Sequence, residues 1–154
     1  MDDAPATSAS HHIEVARTVH PESRDAIARG LYEFNARHFG EYQFTDLDVY
    51  VRDADGRIIG GLIGQYWSGW LSIHALWVAE ELRGSGIGTG ILKAAEDAAV
   101  QSGCHAAILD TLSFQAPAFY EKRGYVRIGV VENYRAGAQE IFLQKRLHAD
   151  PVTT

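Results

Sequence analysis

The sequence predicts an α/β fold with a mixed, mostly antiparallel central sheet and helices on both faces. Three observations carry this. Alternating apolar and polar segments recur through residues 47–78, the pattern of antiparallel strands joined by tight turns. A nearly continuous apolar segment, 70–78, runs into a glycine-rich turn and then an alanine-rich helix. A second apolar segment, 105–112, follows that helix, and two strands joined by a helix crossover must run parallel.

The elements follow in order. HIEVARTV (12–19) alternates and reads as a first strand. Pro21 suits a first helical position, with Glu22 and Asp25 in the first turn, and Ile27, Leu31 and Phe34 line one face, so 22–38 is an amphipathic helix stopped by Gly40. LDVYVRD (47–53), the turn Asp53-Ala54-Asp55-Gly56 and RIIGGLIGQYW (57–67) make a hairpin. Ser68-Gly69 turns the chain into WLSIHALWV (70–78), in which period two places Ser72, His74, Leu76 and Val78 on one face. Ile91, Leu92, Ala95, Ala98 and Ala99 mark the buried face of a helix ending at Gly103. HAAILDTL (105–112) is a buried strand, 116–123 a short helix, and YVRIGVV (125–131) and EIFLQKRL (140–147) complete the sheet. Residues 1–10 and 148–154 read as flexible tails around a single domain, 11–147.

The chain has 154 residues, enough for one core and cramped for two. Hydrophobic residues at 46% and charged residues at 22% place it among ordered globular proteins. A formal charge of -6 argues against a nucleic-acid partner and favours cationic ligands. A single cysteine, Cys104, rules out an internal disulfide and reads as a buried structural thiol, and His11-His12 have no ligand partner nearby, so no metal is expected. The absence of a long apolar run argues against a membrane partner, and the cysteine usage suits the cytoplasm.

Glycines at 84, 86, 88 and 90 crowd the junction between strand and helix. Free N–H groups converge at a helix N-terminus and its dipole favours anions, so the turn reads as a phosphate cradle. It is not a dinucleotide fingerprint, since the sixth position from Gly84 is Thr89 and from Gly86 is Ile91. Nor is it a P-loop, because no lysine follows the glycines. What remains is Arg83-x-x-Gly86-x-Gly88 between a strand and a helix.

That pattern resembles the R/Q-x-x-G-x-G/A motif of the GNAT superfamily of acyl-CoA-dependent N-acyltransferases. Downstream, Phe119-Tyr120-Glu121-Lys122-x-Gly124-Tyr125 is similar to the family's second signature, and the elements between fall in family order over residues 12–147. The resemblance implies acetyl-CoA as co-substrate. Its pyrophosphate would lie on the amides of Arg83, Gly84, Ser85, Gly86, Ile87, Gly88 and Thr89. Its pantetheine would run between splayed parallel strands, pairing with backbone at Leu76, Trp77 and Val78. Tyr120 matches the family tyrosine that gives a proton to the departing thiolate. The family asparagine that bonds pantetheine is replaced here by Ser113, and Gln115 could take its contact.

The attacking amine must lose a proton, which needs a base or a water relay. His74 lies at the strand position of a relay histidine in the arylalkylamine acetyltransferases, which the chain resembles in that respect; a histidine hydrogen-bonded within the sheet is the alternative. The family shapes its acceptor pocket with the segment 35–44, helped here by 132–139, so Glu33, Tyr42 and Glu132 are candidate substrate contacts. The implied function is transfer of an acetyl group from acetyl-CoA to a primary amine of a small molecule by direct attack. Acetylation of a protein or peptide amine, or a non-catalytic acyl-CoA sensor, are the alternatives. Dimers are common in the family, so a homodimer is expected.

Overall fold

The structure is a computed structural model that describes residues 11–147. The tails expected at 1–10 and 148–154 lie outside the described residues. The chain divides into two compact units, one ending at Glu41 and one beginning at Tyr42.

In the first unit a single helix, α1, spans Pro21–Phe39. Pro21 occupies the first turn, where its missing N–H costs no hydrogen bond. Gly40 ends the helix at φ 78°, its N–H returning to Ala36 O over 2.9 Å. The strand expected at 12–19 is not formed, because residues 11–41 contain no other strand to pair with it. Alternation alone satisfies no backbone hydrogen bond.

The second unit is a six-stranded sheet with two helices. Its elements are β1 (Thr45–Arg52), β2 (Ile58–Trp67), β3 (Trp70–Val78), α2 (Ile87–Gln101), β4 (Ala106–Leu112), α3 (Pro117–Glu121), β5 (Val126–Arg135) and β6 (Ala138–Arg146). The strand order is β1-β2-β3-β4-β6-β5. All neighbours are antiparallel except β3 and β4, the pair joined by α2.

Turn chemistry sets the hairpins. Ser68 and Gly69 both have positive φ (51° and 82°), as a two-residue turn of primed type requires. Ala136 and Gly137 do the same at 46° and 81°. The segment 132–139, expected as a pocket loop, is therefore the tip of a β5–β6 hairpin. Alanine before glycine is a weak turn signal, and the two strands zip up to it.

The core lies where α2 packs on the sheet. Leu62, Leu71, Leu92, Ile141, Leu143 and Cys104 are fully buried, and Ile91, Ala95 and Ala99 join them. The stripe expected on α2 is thus the one that is buried, and Cys104 is a core thiol whose pKa is pushed up by burial. Gly60 lets the helix approach closely, since a Cβ there would lie 3.3 Å from Ile91 Cδ1 and 3.2 Å from Trp77 O.

Candidate active site

The site is made by a failure of strand pairing. β3 and β4 pair at only four positions, from Trp70 opposite Ala106 to Ile73 opposite Leu109. At the next residue β3 carries a bulge. Gly64 of β2 faces Ile73, Ile63 faces Ala75, and His74 is left as the extra residue. A bulge bends its strand and increases its twist, so residues 74–78 leave β4. β4 stays in the sheet to Leu112 because its other edge remains paired with β6.

A cavity of about 790 Å³ opens between the diverging strands. His74 to Val78 form one wall and Asp110 and Thr111 the other, and the glycine turn and α3, which touch each other through Thr89 and Arg123, complete the lining.

The bulge also reverses side-chain alternation. Leu62 is opposite Leu76 and Gly64 is opposite Ile73, so Leu71, Ile73, Leu76 and Val78 share the core face. Ser72 therefore does not share a face with Leu76 and Val78, as strict period two predicts. The extra residue at His74 absorbs the phase change.

At the mouth of the cavity, Gly84 and Gly86 have φ of 76° and 91°, the left-handed region that glycine enters without a Cβ penalty. Gly86 caps α2, and Gly90 N–H makes the first helical bond to Gly86 O at 3.0 Å. The N–H groups of Ile87, Gly88 and Thr89 precede it and have no intrahelical acceptor. The first turn carries no acidic side chain to oppose an anion. Gly88 serves packing instead, since a Cβ there would stand 3.4 Å from the Phe119 ring and 3.7 Å from Val78 Cγ2.

Two arginines frame this N-terminus. Arg83 donates from Nε to Val78 O over 3.2 Å. Arg123 stacks on the Phe119 ring with its guanidinium carbon 3.7 Å from the centroid, donates to Phe119 O at 2.6 Å, and bonds Thr89 Oγ1 through both Nε and Nη2. The guanidinium is thereby fixed beside the unpaired amides.

Tyr120 projects from α3 into the core and reaches the cavity, with 8% of its surface exposed. Its ring meets Phe119 and Tyr125 edge-on, with centroids 5.1 and 5.7 Å away. Burial, and then the negative charge of Asp110, raise its pKa above the ordinary 10.0, so the phenol is protonated at neutral pH.

Of the residues singled out from sequence, His74, Leu76, Trp77, Val78, Arg83, Gly84, Gly86, Gly88, Thr89, Gln115 and Tyr120 line this one cavity. Ser85, Ile87 and Ser113 lie outside its lining. Ser85 Oγ donates to Leu82 O at 2.5 Å, and Ser113 Oγ accepts from Gln139 N–H at 3.1 Å. Gln115 Oε1 accepts from Leu112 N–H at 2.9 Å and Thr111 Oγ1 at 3.0 Å, tying off the end of β4. Glu132 is held by Gln139 Nε2 at 3.0 Å, and Tyr42 packs with Phe44 and Trp67, both away from the lining. Glu33 belongs to α1 in the first unit.

Three polar contributors escape the sequence reading. Asp110 and Thr111 read from sequence only as parts of a buried strand, although a carboxylate within an apolar run is an available signal. Arg123 occupies the variable position of the second signature, where spacing assigns nothing. Among the described residues no group of three or more His, Cys, Asp or Glu could hold a metal, and no helix is long and apolar enough to cross a membrane.

Comparison with known proteins assigns the family. Residues 12–125 match the model of the Acetyltransferase (GNAT) family. An acetyltransferase of Agrobacterium fabrum is 36% identical over 125 residues, covering 81% of this chain and 91% of the relative. The blasticidin-S acetyltransferase of Streptomyces morookaense is 35% identical over 105 residues, covering 66% and 77%. The crystal structure of an acetyltransferase from Bacillus cereus superposes with a TM-score of 0.79 at 32% identity, over 88% of this chain and 97% of that one. The chain belongs to the GNAT acetyltransferase family.

Proposed function

We propose that the protein moves the acetyl group of acetyl-CoA to a primary amine of a small molecule. The observation that carries this reading is the fork between β3 and β4, whose cavity is lined by both a phosphate-compatible helix terminus and a protonated phenol.

The residues suit acetyl-CoA, which when bound supplies an activated acetyl thioester. The β4-facing edge of residues 74–78 is free of strand partners and offers main-chain groups to an extended amide chain. The amides of Ile87, Gly88 and Thr89, with Arg83 and Arg123, would hold phosphate charge. Tyr120 holds the proton that a departing thiolate requires, and burial keeps it there at neutral pH. His74 would take the proton that the amine gives up before attack. The blasticidin-S acetyltransferase relative, by its name, acts on a small molecule, which supports that acceptor class here.

Free thiol release from acetyl-CoA across a panel of small amines is the test. Amine-dependent release supports the reading. Tight acetyl-CoA binding with no amine-dependent release would turn it into the sensor alternative, and release only with peptides would move it to a protein acceptor.

A further inference from the structure

We propose that Asp110 is the carboxylate that receives the ammonium form of the acceptor. The inference deepens the transferase reading and rests on it.

The argument begins with position. Leu109 makes the last β3 pair, opposite Ile73, so Asp110 and His74 are the first residues beyond the fork on their two strands. Both line the cavity, together with Tyr120. Leu109 and Thr111 are buried on the α2 side of β4, and alternation places Asp110 on the other face, where it is exposed. The carboxylate therefore stands at the apex of the wedge, on the face away from α2. The candidate phosphate-holding groups, the α2 terminus with Arg83 and Arg123, line the same cavity.

Charge gives the second strand of the argument. The Asp110 carboxylate takes part in no hydrogen bond or ion pair among the described residues. The two cations of the cavity are committed elsewhere, Arg83 to Val78 O and Arg123 to Thr89 and Phe119. Asp110 is the lone acidic residue of the lining, so the apex holds one uncompensated negative charge. Its proximity to Tyr120 is electrostatically felt by the phenol.

An alkylamine carries one positive charge in neutral water. A carboxylate at the apex would draw that charge to where attack must occur and fix its orientation by charge-assisted hydrogen bonds. Glu132 is a poorer candidate, because it is bonded by Gln139 and stands outside the lining.

The test compares the full-length chain with Asp110→Asn, which keeps the shape and removes the charge. Phenethylamine and spermidine serve as cationic acceptors, and hydroxylamine as one that is largely uncharged at mildly alkaline pH. Asp110→Asn should raise KM for the two cations by about 10-fold, change KM for hydroxylamine by less than about twofold, and leave acetyl-CoA affinity intact. An equal effect on charged and uncharged acceptors, or no effect on KM, would overturn the assignment. Calorimetric binding of the two cations in the presence of CoA gives a readout independent of turnover. Binding by the parent and weakened binding by Asp110→Asn would uphold the ammonium site even if transfer itself failed. Equal binding by both, or none by either, would refute it.

Discussion

The Tyr125 hydroxyl donates to the Glu96 carboxylate over 3.0 Å, joining the start of the β5 hairpin to the middle of α2. Lys145 of β6 bonds the other Glu96 oxygen at 2.7 Å and lies over the Tyr125 ring. Tyr125 is buried against Tyr120, so this chain of three side chains backs the phenol that faces the cavity.

Replacing Glu96 with Gln should cost about 1–3 kcal/mol of stability, since it strips charge from a mostly buried pair and weakens the bond to Tyr125. The alkaline limb is a sharper measurement. Burial, then the charge and hydrogen bond of Glu96, raise the Tyr125 pKa above the ordinary 10.0. The folded chain then holds that proton more tightly than the unfolded chain. Its contribution is fully present below pH 10.0 and is lost as pH rises above it. Denaturant midpoints of the parent should fall above that pH, and Tyr125→Phe should fall less steeply.

Tyr120→Phe removes the cavity phenol and keeps the ring. Turnover should drop by about 100-fold, with acetyl-CoA affinity changed little. Steady-state kinetics beside equilibrium binding separate the two, and unchanged turnover would withdraw the proton-donor role.

The glycines of the turn should behave unequally. Gly86 sits at φ 91°, so Gly86→Ala should cost about 1–2 kcal/mol and weaken acetyl-CoA binding by disturbing the unpaired amides. Gly90 is helical, and a Cβ there would meet nothing within 4 Å, so Gly90→Ala should add about 0.5–1 kcal/mol. Thermal melts of the two variants should move in opposite directions.

Arg123→Gln should weaken acetyl-CoA binding by about 10-fold and flatten its dependence on salt, because a fixed cation is lost beside the helix terminus. Titrations at low and high ionic strength check both. An unaltered salt dependence would place the phosphate elsewhere.

Much of this is legible in residue order. The meander from 47 to 78 and the stripe on α2 follow from side-chain period, which is local. The glycine turn follows from spacing, because glycine at positive φ is a property of single residues, and Tyr120 follows from the resemblance of its motif to the family signature. What escapes has a common cause. The segment 12–19 alternates like a strand yet has no partner, and pairing is not written into a segment. Asp110 reads as strand, since nothing in HAAILDTL announces that its neighbour leaves after Ile73.

By itself the sequence determined the order of elements from the first helix onward, the parallel relation of β3 and β4, and the residue types that a phosphate would need. Those depend on period, connectivity and side-chain chemistry. Tertiary structure decided where the sheet opens. One extra residue at His74 breaks the alternation, frees one edge of β4 beyond Leu109, and brings Asp110, Tyr120 and the α2 terminus around one cavity. A bulge is a relation between two strands, and only pairing reveals which residue is left over.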